Sequence, residues 1–141
     1  EILRNSFSGS QMQEQKLKKL KVQSPDDRLL DKVMKVINDN LGNPDLNVEM
    51  IATEVGISRV HLHRKLKELT NQSTRDLIRN VRLKQAASLL ANQYHNITEV
   101  ATLTGFTNIA YFSTAFKELY GVPPTTYMEE QQKSSSDEIK Q

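Results

Sequence analysis

Apolar positions along this chain recur every three to four residues in separated stretches, and nowhere alternate for long enough to suggest a strand. Leu29, Leu30, Val33, Met34, Ile37 and Leu41 mark one face of a first helix. Ser24-Pro25-Asp26-Asp27 starts it, with a capping hydroxyl, a proline suited to the first turn, and acids for the positive end of the dipole. Gly42 is expected to take the left-handed stop, and Asn43-Pro44 to bar continuation. Asn47 can cap a short helix over 48–55, which Gly56 separates from a second helix over 58–69. Leu62, Leu66 and Leu69 fall on one side of that second helix, leaving Arg59, His63, Arg64 and Lys67 to point elsewhere. A turn at 70–73 precedes a long helix to about Asn92, capped by Ser73 or Thr74. Leu77, Ile78, Val81, Ala86, Leu89 and Leu90 make its buried side, with Arg75, Arg79 and Arg82 off that side. Asn96-Ile97-Thr98-Glu99 has capping-box spacing, so short helices are expected at about 97–104 and 108–120. Residues 125–130 add one short turn, and the polar, serine-rich 131–141 are expected to be disordered. The weakly apolar 1–23 read as a linker or the end of a preceding domain. The pattern is all-α.

The chain also repeats itself. Ile51-Ala52-Thr53 returns as Val100-Ala101-Thr102, and Gly56-Ile57-Ser58 as Gly105-Phe106-Thr107, both at an offset of 49. Leu66-Lys67-Glu68-Leu69 returns as Phe116-Lys117-Glu118-Leu119 at an offset of 50, so the second copy has one extra residue after its turn. Alanine in the first helix of each copy allows close packing. Glycine permits a positive-φ turn, and a hydroxyl two residues on can begin the next helix or bind a phosphate. Two short helices across a glycine turn, present twice and separated by one long helix, predict two helix-turn-helix units. Their expected bounds are 24–73 for the first unit, 74–92 for the linking helix and 93–130 for the second unit.

Charge distribution bears on the partner. The net charge of +2 hides a central block, 58–84, with eight basic and two acidic side chains. The acidic-leaning flanks carry eight basic and nine acidic residues over 1–57, and three basic and six acidic over 85–141. Such a block suits a polyanion. Other chemistries find little support. Cysteine is absent, which removes disulfides and thiolate ligands. His61 and His63 diverge around a helix, unlike the i, i+4 pair of a zinc helix. Neither a phosphate-cradling glycine loop nor a paired acid and base is visible, so no enzyme, cofactor or metal site is expected. No secretory signal or apolar run of membrane-spanning length occurs, and the expectation is a cytoplasmic segment without membrane contact.

The run Gly105-Phe106-Thr107-Asn108 through Tyr111-Phe112, Phe116-Lys117, Gly121, Pro124 and Tyr127 resembles the signature of the AraC/XylS family of bacterial transcription regulators. Arg82-Leu83-Lys84-Gln85-Ala86 is similar to that family's linking-helix motif, and the resemblance covers about 26–129. It implies seven helices, and a monomer that lays two recognition helices into successive major-groove segments on one face of double-stranded DNA. It further implies base contacts at Val60, His63 and Arg64 in the first copy, and at Ile109, Ala110, Ser113 and Thr114 in the second. Arg64 is the strongest reader, because a guanidinium pairs bidentately with guanine. His63 suits a base edge or a phosphate, and Val60 a thymine methyl. Ser58, Arg59 and Lys65 are assigned to phosphates in the first copy, and Thr107, Asn108 and Lys117 in the second. No second-copy base position offers a bidentate contact, so that copy is expected to anchor more than to discriminate. Tyr111, Phe112, Phe116 and Tyr120 are expected in the core, since their spacing matches a buried stripe.

Some family members carry this domain after a phosphoacceptor receiver in hybrid two-component sensors, and Arg4-Asn5-Ser6-Phe7 resembles the end of such a receiver. An upstream receiver is therefore an expected partner beside DNA, and the acidic flanks and first helix suit contact with RNA polymerase. The competing reading is a helical protein–protein interaction module without specific DNA binding.

Overall fold

The computed structural model describes residues 24–92 and 95–140, with side chains as far as 134; the expected linker at 1–23 lies outside them. Seven helices and no strand occur among the described residues: α1 (Pro25–Asp39), α2 (Val48–Val55), α3 (Arg59–Thr70), α4 (Thr74–Asn92), α5 (Ile97–Leu103), α6 (Ile109–Tyr120) and α7 (Pro124–Lys140). None is long and apolar enough to cross a membrane.

Capping fixes most of the helix starts. Ser24 and Asp27 form a reciprocal capping box at α1, and Asn96 and Glu99 form another at α5. Asn47 caps α2, and Ser73 caps α4 by accepting the Asp76 N–H at 3.1 Å. The end of α1 departs from expectation. The helix stops at Asp39, Asn40 closes it at φ −117°, and Gly42 is not among the positive-φ glycines. Gly42 is instead a point of close approach, where an added Cβ would lie 3.1 Å from the Leu103 carbonyl oxygen. The C-terminal segment departs further. The expected short turn at 125–130 and disorder over 131–140 are replaced by α7, which runs to Lys140, and residue 141 lies outside the described residues. Pro124 starts this helix, Tyr127 and Met128 anchor it in the core, and good helix formers from Glu129 to Lys133 extend the nucleus so provided.

The buried side chains form two clusters. Val33, Ile37, Ile51, Leu62 and Leu66 from α1–α3 pack on Leu77 and Ile78 at the start of α4. Val100, Phe112 and Phe116 from α5 and α6 pack on Leu83, Ala86 and Leu90 further along the same helix. Thus α4 changes sides between Ile78 and Leu83, and each core owns one half of it. Arg82 sits at the crossover. Its Nε and Nη2 donate to the carbonyls of Leu41 at 3.3 Å and Asn43 at 2.7 Å, tying α4 to the loop after α1. Burial lowers the guanidinium pKa from its ordinary value, yet arginine remains charged.

The internal repeat is visible in the backbone. Gly56 and Gly105 adopt φ of 79° and 87°. Behind them the Ile57 N–H donates to the Ala52 carbonyl at 3.1 Å, and the Phe106 N–H to the Ala101 carbonyl at 2.9 Å. Asn71 (φ 58°) and Gly121 (φ 81°) close α3 and α6 in left-handed conformations, their N–H groups donating to the carbonyls of Lys67 at 2.9 Å and Lys117 at 2.8 Å. The first unit is therefore α1–α3 with the start of α4, and the second is the end of α4 with α5–α7.

The two turn glycines differ in what surrounds them. At Gly56 an added Cβ meets nothing within 4 Å, whereas at Gly105 it would lie 2.4 Å from the Leu41 carbonyl oxygen. Gly56→Ala should cost only the left-handed backbone penalty, about 1–2 kcal/mol. Gly105→Ala should cost clearly more, because a backbone atom of the other unit must also move. Urea unfolding of both variants measures the difference, and equal losses would count against the inter-unit contact.

Candidate nucleic-acid interface

The first recognition element is built by the turn at Gly56. Ser58 caps α3 by accepting the His61 N–H at 3.1 Å, which leaves its own O–H free to donate. Leu62 and Leu66 are fully buried, and so fix which side of α3 faces outward. That side presents Arg59, Val60, His63, Arg64 and Lys67, all exposed. Val60 is 76% exposed, which sets an apolar β-branched side chain among the basic ones. Arg64 has no ion pair or hydrogen bond among the described residues, while Arg59 lies 3.6 Å from Glu49 across the turn. Arg59, Val60 and His63 border a cleft of about 520 Å³ closed on its far side by Thr74 and Arg75. The Thr74 hydroxyl is buried there without a hydrogen-bond partner among the described residues.

Lys65 stands apart from this set. It is turned toward α1, 3.2 Å from Asp26 and 3.9 Å from Glu68, in a separate cleft with His61. Its helical angle places it near the buried leucines, and α1 supplies the carboxylate that holds it. The structure therefore gathers Ser58, Arg59, Val60, His63 and Arg64 on one face, with Lys65 outside it.

In the second unit Phe112 and Phe116 are fully buried, and Phe106, Tyr120 and Tyr127 pack around them with ring centroids 4.6–5.9 Å apart. The outward side of α6 carries Ile109, Ala110 and Thr114, all exposed, with Ser113 half-buried beside them. The Thr114 hydroxyl donates to the Ala110 carbonyl at 3.0 Å, which occupies its proton. Lys117 is exposed at the last turn. The extra residue of the second copy falls before the cap. Asn108 caps α6 by accepting the Tyr111 N–H at 3.0 Å, and Thr107 stays in the turn, exposed. The expectation that the hydroxyl two residues after the glycine starts the helix holds for Ser58 and fails for Thr107.

Tyr111 is not a core residue. It is 49% exposed, leaning on Phe106 with centroids 6.2 Å apart. Phe112 and Phe116 define the buried stripe, and Tyr111 lies about 100° around the helix from it. That offset was the available signal. It lines a cleft of about 370 Å³ between the units, together with Arg75, Arg79 and Arg82 from α4. Those arginines are absent from the residues assigned by resemblance.

A family model described as a helix-turn-helix domain matches residues 51–130. The chain is 35% identical over 106 residues to histidine kinase P4 of Formosa agariphila, a match covering 75% of this chain but 8% of that protein. Among solved structures it is similar to a DNA-binding transcriptional dual regulator from Escherichia coli K-12, with TM-score 0.71 and 28% identity over 79% of this chain and 97% of that one. It is also similar to the C-terminal domain of AraT, a response regulator from Geobacillus stearothermophilus, with TM-score 0.68 and 32% identity over 76% and 86% of the two chains.

The displaced cap gives a direct test. Asn108→Ala should destabilise the fold by about 1 kcal/mol, as loss of a helix cap does. Thr107→Ala should leave thermal stability within about 0.5 kcal/mol of the parent, as for an exposed position. Melting curves showing the reverse order would place the cap at Thr107.

Proposed function

Because the chain belongs to the AraC/XylS family of helix-turn-helix proteins, we propose that it binds double-stranded DNA sequence-specifically to regulate transcription. The role is non-enzymatic. Each of α3 and α6 would enter a major-groove segment on one face of the duplex. The observation that carries this reading is the outward side of α3, where an unpaired Arg64 stands with His63 and a 76%-exposed Val60 on the second helix of a repeated helix-turn-helix. Such a surface suits a base-pair edge, where a guanidinium pairs bidentately with guanine and an apolar side chain meets a thymine methyl.

The two recognition helices divide the work. Arg64 reads a guanine, His63 a neighbouring edge or phosphate, and Val60 a methyl group. Ile109, Ala110, Ser113 and Thr114 offer shape and methyl contacts, with Thr107, Asn108 and Lys117 on phosphates. Similarity to a histidine kinase and to a response regulator supports a second element of the reading. The chain is the output part of a longer two-component protein, whose receiver domain controls access to DNA.

Binding-site selection from a random duplex pool, followed by titration at several salt concentrations, tests the core of this. The recovered site should hold two informative blocks about one helical turn apart. Arg64→Ala should lose about 1–3 kcal/mol on that site and relax discrimination at one position. Lys117→Ala should weaken selected and random duplexes alike. A folded Arg64→Ala protein with unchanged specificity would remove Arg64 from the reading role.

A further inference from the structure

The cleft between the two units carries a charge pattern that neither recognition helix accounts for. Arg75, Arg79 and Arg82 are spaced by four and three residues, so they share one side of α4. All three line the inter-unit cleft, and among the described residues no carboxylate lines it. Arg82 is held by two backbone carbonyls in its floor. Arg79 lies 3.5 Å from Asp76, a half-exposed pair that is easily exchanged. Arg75 is exposed and has no ion pair or hydrogen bond among the described residues. Asn47 and Asn108, the caps of α2 and α6, also line the cleft, so two positive helix ends border it. Each asparagine carbonyl is taken by a backbone N–H, which leaves the side-chain NH₂ groups as donors. Tyr111 adds an exposed phenol from α6.

Arg75 also lines the neighbouring cleft beside Arg59, Val60 and His63. The positive path therefore continues from the reading side of α3, along α4, to the start of α6. If the recognition helices occupy successive major-groove segments, the strand bordering the minor groove between them must cross this path.

We propose that the inter-unit cleft is a phosphate-binding bridge, in which Arg75 and Arg79 of the linking helix clamp the DNA backbone between the two recognition sites. The inference rests on the DNA-binding reading above and adds a third contact region to it. The two guanidinium groups are four residues apart, about 6 Å along the helix, so each takes a different phosphate. The cleft's chemistry would also suit a free phosphate or a small phosphorylated ligand. Its continuity with the reading side of α3 favours the duplex.

The test uses the whole chain and its selected duplex. For parent, Arg75→Ala, Arg79→Ala and the double variant, log K is measured against log salt on selected and random duplexes, with folding checked by circular dichroism. Each single change should flatten the slope by about 0.9, the double by about 1.8, with equal fold-losses on both duplexes. Arg75→Lys should keep the slope, because it keeps the charge. Phosphate-ethylation interference should map to phosphates between the two informative blocks and vanish in the double variant. Specific parental binding with an unchanged slope in folded variants overturns the bridge and leaves the DNA-binding reading standing. Absence of parental binding to any duplex overturns both. Inorganic phosphate that shifts the Arg75 and Arg79 NMR signals at sub-millimolar concentration, without any slope change on DNA, overturns the bridge in favour of a small-anion site.

Discussion

One helix has to serve two hydrophobic cores, and much of the structure follows from that constraint. Leu77 and Ile78 commit the start of α4 to the first unit, and Leu83, Ala86 and Leu90 commit its end to the second. A helix turns only about 100° per residue, so the crossover is confined to the residues between them. Arg82 occupies that crossover, bonded to two carbonyls of the loop after α1. The Leu41 and Asn43 carbonyls lie beyond the end of α1, and an arginine fork reaches both while staying charged, the Asn43 oxygen also accepting the Leu46 N–H at 3.2 Å. Gly42 and Gly105 complete the seam, each lying against backbone of the opposite unit. The relative placement of α3 and α6 thus depends on a short stretch with almost no room for side chains.

The two units share a backbone plan and differ in chemistry. Turn glycines, alanine-backed bonds and left-handed closures repeat between them. The outward surfaces differ: α3 exposes Arg59, His63, Arg64 and Lys67, whereas α6 exposes Ile109, Ala110, Tyr111 and Thr114 with Lys117 as its single basic residue. Charge and bidentate geometry are concentrated in the first copy, while the aromatic packing of Phe106, Phe112, Phe116, Tyr120 and Tyr127 is concentrated in the second. An aromatic core beneath a helix with one basic side chain suits the anchoring role proposed for α6. The basic side chains of α4 lie between the two, which is where a backbone contact adds affinity without adding sequence preference.

Most of the helices were legible before any coordinates, and for local reasons. Caps such as Ser24, Asn47, Ser73 and Asn96 act on amides two or three residues away, and apolar spacing of three and four needs only the helix period. Gly56 and Gly105 were identifiable because few other residues adopt a positive φ cheaply. The outward placement of Val60, His63 and Arg64 followed from the buried leucines alongside them. Difficulty arose where two local options were close in energy. Thr107 and Asn108 both can cap, Gly42 and Asn40 both can end a helix, and 131–140 can be helical only once Tyr127 and Met128 are anchored.

Local chemistry alone settles the presence of α1–α6, the two glycine turns, the repeat and the basic character of residues 58–84. Tertiary packing decides the rest, because it depends on groups remote in the chain. Arg82 meets carbonyls 41 and 39 residues away, and Lys65 meets Asp26 from α1. Tyr111 is left exposed because its neighbours Phe112 and Phe116 fill the second core. Periodicity could mark Arg75, Arg79 and Arg82 as lying off the buried side of α4. Only the docking of one unit against the other turns that side into a cleft.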